Sequence, residues 1–102
     1  MSRISQLQEL LKTEPGDSFL NYALALEYAG SRKKQEAIVL LEKLISADEN
    51  YLAAYYQLAQ FLEENKETEK ARIVYAKGIE IARVQANTKT LSELQSALDN
   101  LE

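Results

Sequence analysis

The side chains able to do chemistry are 16 Asp and Glu, 12 Lys and Arg, six tyrosines and scattered serines. There is no histidine, no cysteine and no tryptophan. Histidine titrates near neutral pH and is the commonest transition-metal ligand, and the cysteine thiolate is the strongest side-chain nucleophile. Their absence removes the usual general base, disulfides and thiolate metal sites. Ser and Lys occur in no recognisable nucleophile arrangement, and no Gly-rich phosphate loop is present. No catalytic residue, metal ligand or cofactor is therefore assigned, and the chain is not expected to be an enzyme.

The charged clusters read the same way. Glu63, Glu64, Glu67 and Glu69 put carboxylates in one stretch. A hard cation wants oxygens converging from a loop of alternating Asp and Asn around a central Gly. This run has neither, so it reads as a solvated helix end. Arg32-Lys33-Lys34 reads as a solvated turn in a chain of net charge −4. That acidic balance works against contact with a phosphate backbone or an anionic membrane surface. No apolar run approaches the roughly 20 residues of a membrane span. The start, Met1-Ser2-Arg3-Ile4-Ser5-Gln6, lacks the apolar core of a signal peptide. Neither nucleic acid nor membrane is expected as a partner, and the expected location is cytoplasmic.

The elements that position these residues are helices. Ala, Leu, Glu, Lys and Gln dominate, with one proline and three glycines. Strong helix formers with few breakers predict an all-α chain. Apolar residues spaced by three and four predict helices over residues 2–13, 18–29, 34–47, 51–64, 68–84 and 90–100. Ser2 or Ser5 is the expected cap of the first helix, Asp17 or Ser18 of the second and Thr68 of the fifth. Gly16 is expected to close the first turn with a positive φ, and Gly30 to break the second helix. Thr90-Leu91-Ser92-Glu93 has the form of a capping box for the last helix. That helix places Leu91, Leu94, Leu98 and Leu101 inward and Glu93, Ser96, Asp99 and Asn100 on a polar outer face.

A pattern recurs along the chain. Tyr55-x2-Leu58-Ala59-x2-Leu62 is followed by Ala71-x3-Tyr75, and 34 residues earlier Asn21-x2-Leu24-Ala25-x2-Tyr28 is followed by Ala37-x3-Leu41. Leu7, Leu10 and Leu11 lie 34 residues before Leu41, Leu44 and Ile45. A fixed period of this length marks an array whose units bury their apolar faces on one another. The chain resembles the tetratricopeptide repeat family, whose unit is an antiparallel helix pair with the pattern W-x2-L-G-x2-Y, then A-x3-F, then P. Asn21 stands where that pattern has its large aromatic, Ala25 and Ala59 where it has Gly, and Glu49 and Arg83 where it has Pro. Gly78 stands where the preceding copy has Leu44; close approach of a neighbouring helix is the expected reason, and a local kink is the alternative.

The resemblance implies an α/α solenoid, a right-handed superhelix of six helices. Its parts would be a leading helix and turn (1–17), repeats at 18–51 and 52–85, and a capping helix at 88–101. In this family the first helix of each repeat lines a concave groove that binds a peptide or helix of a partner protein. The implied groove residues are Phe19, Tyr22, Leu26 and Ala29, then Ala53, Tyr56, Gln60 and Glu63. The cationic clamp that some members close on a chaperone's C-terminal carboxylate has no counterpart. Tyr22, Leu26, Tyr56 and Gln60 occupy those positions. The groove reads as aromatic at one end and acidic at the other (Glu63, Glu64, Glu67), suiting a partner with apolar anchors and a basic flank. Tyr28, Tyr55 and Tyr75 fall on repeat anchor positions and belong in the core, and Tyr51 opens a helix at its edge. The expected function is a non-catalytic protein–protein interaction scaffold. The alternative is a self-assembly unit, a homodimer pairing through Ile4, Leu7, Leu10 and Leu11 on the uncovered first helix.

Overall fold

A computed structural model describes residues 2–101; Met1, the first residue of the expected leading segment, and Glu102 lie outside the described residues. Six helices and no strands occur among them: α1 (Arg3–Thr13), α2 (Ser18–Gly30), α3 (Lys34–Ala47), α4 (Leu52–Glu64), α5 (Thr68–Val84) and α6 (Thr88–Asp99). The all-α class agrees with the helix-forming composition. The chain forms two compact units that divide between Tyr51 and Leu52.

In the first unit α2 packs against both α1 and α3. Ser2 caps α1 by accepting from the Ser5 amide at 3.1 Å, so the helix begins one residue later than its apolar spacing indicates. Asp17 caps α2, its Oδ1 accepting from the Leu20 amide at 2.9 Å. Asn21 explains its own departure from the family pattern. Its Nδ2 donates to the Pro15 carbonyl at 3.1 Å and to the Asp17 carbonyl at 2.9 Å, holding the α1–α2 turn. Ser18 Oγ donates to Asp48 Oδ2 at 2.6 Å and ties the start of α2 to the end of α3. Leu7, Leu24, Ala25, Ala37, Ile38, Leu41 and Leu44 are buried. Of the expected α1 stripe only Leu7 is fully covered, and Leu10 is 53% exposed.

In the second unit α5 packs against both α4 and α6. The core holds Tyr55, Leu58, Phe61 and Leu62 from α4, Tyr75, Ile79, Ile81 and Ala82 from α5, and Leu94 from α6. Ala25, Ala37, Ala59 and Ala71 are all fully buried. They recur at the 34-residue period and keep paired helices close. Gly78 has the role expected of it. A Cβ there would lie 3.0 Å from Tyr55 Cβ and 3.1 Å from Leu94 Cδ1, so α5 meets both neighbours at this point.

The turns differ from expectation in a shared way. No glycine has a positive φ; Arg32 (64°), Lys66 (65°) and Ala86 (55°) do. Each is the left-handed residue of a Schellman closure. Lys33, Glu67 and Asn87 donate back to Tyr28, Leu62 and Ala82 carbonyls at 2.8, 2.8 and 2.9 Å. Gly30 therefore stays inside α2, and the break falls two residues later, at Arg32. Gly16 closes its turn without a positive φ, aided by the Asp17 amide donating to the Glu14 carbonyl at 3.2 Å. The Schellman closures also decide where the next helices start. Thr68 is the first residue of α5 rather than its cap, and Glu67 holds the cap position without a side-chain cap bond. At α6 the expected Thr90–Glu93 box is replaced by Asn87, whose Oδ1 accepts from the Thr90 amide at 3.1 Å. Asn is the stronger N-cap and lies directly after the αL residue, so the helix begins three residues earlier than the box would place it. Tyr51, expected to open α4, sits in the preceding turn, its amide donating to the Asp48 carbonyl at 3.1 Å.

Two stability outcomes follow from these contacts. Overpacked side chains cost roughly 1–3 kcal/mol, so Gly78→Leu should lower unfolding stability by about 2 kcal/mol or more. An unchanged melting temperature would overturn the close-approach account. A left-handed non-glycine residue costs roughly 1–2 kcal/mol, and glycine loses roughly 0.5–1 kcal/mol more backbone entropy. Ala86→Gly should therefore stabilise by about 0.5–1 kcal/mol in urea unfolding. An equal or lower midpoint would show that the αL conformation carries no penalty here.

Candidate functional site

Period 3.6 puts Tyr56, Gln60 and Glu63 on one face of α4, and Glu93, Ser96, Ala97 and Asn100 on one face at the end of the chain. These two faces share a cleft of about 430 Å³, with Tyr75 of α5 also in its lining. Three expected groove residues of the second repeat, Tyr56, Gln60 and Glu63, are thus brought together. Ala53 is exposed and is not part of that lining. Gln60, Glu63 and Glu64 line a smaller hollow beside it.

The polar face of α6 is exposed, as expected, and Glu93, Ser96 and Asn100 on it form one wall of the cleft. The cause is Leu94, which is fully buried at Gly78 and so fixes the rotation of α6. Asp99 lies apart, in a hollow with Arg83, Ser92 and Gln95.

Tyr75 is the other residue that sequence reasoning left out of the site. Its body is fully buried, as expected of an anchor, but its hydroxyl donates to Glu63 Oε2 at 2.7 Å. The family pattern has Phe at this position, and the extra oxygen was the available signal. The Tyr56 and Tyr75 rings lie 6.5 Å apart, tilted by 58°. Burial first, then the Glu63 hydrogen bond, pushes the Tyr75 phenol well above the usual phenol range. One period earlier the same two positions hold Ala29 and Leu41, so the first unit has no such pair.

In the first unit Phe19 is 65% exposed, and Tyr22, Leu26 and Ala29 are half-buried. Tyr22 packs on Tyr51 with ring centroids 5.6 Å apart. Burial and the Tyr51 ring raise the Tyr22 phenol, and burial with Asp17 and Asp48 nearby raises that of Tyr51. Tyr28, assigned to the core, is only half-buried, and its hydroxyl accepts from Gln8 Nε2 at 3.2 Å. A hollow in this unit, about 340 Å³ and lined by Leu24, Tyr28, Val39 and Leu40 among others, has no counterpart in the sequence reading.

In the acidic stretch, Glu67 accepts from Asn65 Nδ2 at 3.0 Å and pairs with Lys70 at 3.2 Å. The Asn65 bond, then Lys70, lowers its carboxyl below the usual range. No group of His, Cys, Asp and Glu suited to a metal occurs among the described residues. No helix among them is long and apolar enough to cross a membrane.

Six helices in turn-linked pairs, with a period of 34 residues, define a helical-repeat protein. A tetratricopeptide repeat family model matches residues 29–98, and the chain belongs to that family. It is similar to a tetratricopeptide repeat domain protein from Salinibacter ruber. The solution structure of that domain is 40% identical, covers 82% of this chain and 85% of its own, and has a TM-score of 0.79. Its crystal structure gives 40% identity, 80% and 92% coverage, and a TM-score of 0.77. A Bordetella parapertussis protein shares the fold at 21% identity, with 97% and 86% coverage and a TM-score of 0.82. No curated protein matches the chain. Proteins of this family mediate protein–protein interaction.

Tyr75→Phe should cost about 1 kcal/mol, the net worth of one hydrogen bond. It should also change the alkaline limb of stability. The unfolded chain releases the Tyr75 proton near pH 10, roughly, while the folded chain holds it longer. Stability therefore falls as pH rises above about 10. In urea unfolding between about pH 8 and about pH 11 the variant should show a shallower fall, the rest coming from Tyr22 and Tyr51. An identical slope would mean that burial and the Glu63 bond do not hold the Tyr75 proton.

Proposed function

We propose that the chain is a non-catalytic scaffold that binds a peptide or helix of a partner protein on the faces of α2 and α4. The observation that carries this reading is the cleft in the second unit, where Tyr56, Gln60 and Glu63 meet α6. In the first unit the corresponding face is Phe19, Tyr22, Leu26 and Ala29, with the Phe19 ring largely in water. Tyrosine offers a large contact area with few rotors to freeze, which suits such a surface. The family assignment supports protein binding as the general role. The cytoplasm is the proposed location.

Self-association is the second reading. It draws on Leu10, 53% exposed on α1, with Ile4 and Leu11 half-buried beside it.

A paired pull-down separates the two. The baits are the wild-type chain and a Tyr22→Ala, Tyr56→Ala variant confirmed as folded by circular dichroism. A prey retained by the first and lost by the second is the expected result. Identical prey on both baits, or the chain alone, would overturn the α2 and α4 assignment and favour pairing through α1.

A further inference from the structure

The second-unit cleft has a chemistry of its own. Its charged lining residues are the carboxylates Glu63 and Glu93, with no lysine or arginine among them. Neither carboxylate is in an ion pair among the described residues, although Glu9, Glu67, Glu69 and Glu80 each are. Gln60, Ser96 and Asn100 add neutral acceptors to the same walls, and Tyr56 adds an aromatic ring. Glu63 is not free to swing away. The buried Tyr75 hydroxyl donates to its Oε2 at 2.7 Å, and a carboxylate so held keeps acceptor positions on its other oxygen.

We propose that this cleft binds an arginine side chain of the partner segment. The inference rests on the peptide-binding reading above and names the residue type the site selects. A guanidinium presents several N–H donors in one plane, matching two carboxylates and nearby amide oxygens, and its flat face stacks on an aromatic ring. An ammonium satisfies the charge but neither the fork nor the stacking geometry. The buried hydroxyl beneath Glu63 pre-orients the acceptor, so less ordering is required when the guanidinium enters. The first unit has Ala29 and Leu41 at the positions of Glu63 and Tyr75, so the preference belongs to the second repeat.

The test is an amide NMR titration of the full chain with N-acetyl-arginine methylamide, the neutral citrulline analogue and the lysine analogue. Saturable shifts centred on Tyr56, Gln60, Glu63, Glu93 and Asn100 with the arginine probe are expected. The citrulline probe should leave these amides in place, and the lysine probe should bind more weakly. Glu63→Gln with Glu93→Gln, both at exposed positions and checked for folding, should weaken the arginine probe by at least about tenfold, the loss of a charge-assisted hydrogen bond. Tyr75→Phe should weaken it less, by freeing Glu63. Equal response to citrulline or lysine, or shifts spread evenly over remote carboxylates such as Glu42 and Glu49, would overturn the proposal. The two readings fail separately. A partner captured equally by wild type and the Gln variant sinks the arginine pocket alone. Specific arginine shifts with no captured partner sink the scaffold reading alone.

Discussion

At residue 78 the backbone of α5 runs so near its neighbours that a single added carbon would crowd both Tyr55 and Leu94. Glycine costs helix stability of about 1 kcal/mol relative to alanine, so its presence mid-helix marks a contact worth more than that. The contact seats Leu94, and Leu94 sets which side of α6 turns toward the α4 face. Glu93, Ser96 and Asn100 then join Tyr56, Gln60 and Glu63 around one cleft. A surface feature thus depends on a backbone approach in the core, through the rotation of one helix.

The turns work on the same economy of parts. Arg32, Lys66 and Ala86 adopt the left-handed conformation without glycine, and each is followed at once by the cap position of the next helix. The Schellman bonds satisfy carbonyls that would otherwise be orphaned, and burial of the adjoining helix pair outweighs the local strain. Such turns leave little slack between the two helices that each one joins.

Polar groups show how the site differs between repeats. In the first unit hydroxyl and amide groups are used for construction: Ser18 to Asp48, Asn21 to the α1–α2 turn. In the second, the Tyr75 hydroxyl reaches out of the core to a carboxylate at the surface. The departures from the repeat pattern carry these differences, Asn21 for an aromatic and Tyr75 for Phe.

Much of the fold was legible because it is local. Helix propensity, apolar spacing and the 34-residue recurrence are properties of neighbours in the chain, and they determined six helices, their approximate limits, the buried anchors Leu24, Leu41, Leu58 and Leu62, and the family. Asp17 as a cap and Gly78 as a point of close approach were legible for the same reason. What the sequence left open was decided by tertiary structure. That Asn87 rather than Thr90 caps α6 depended on where the α5 closure ended. That part of the exposed polar face of α6 also walls a cleft depended on Leu94 docking at Gly78. That Tyr75 would touch Glu63 depended on two helices meeting 12 residues apart. Spacing specifies which residues share a face of one helix; only packing specifies which faces of different helices come together.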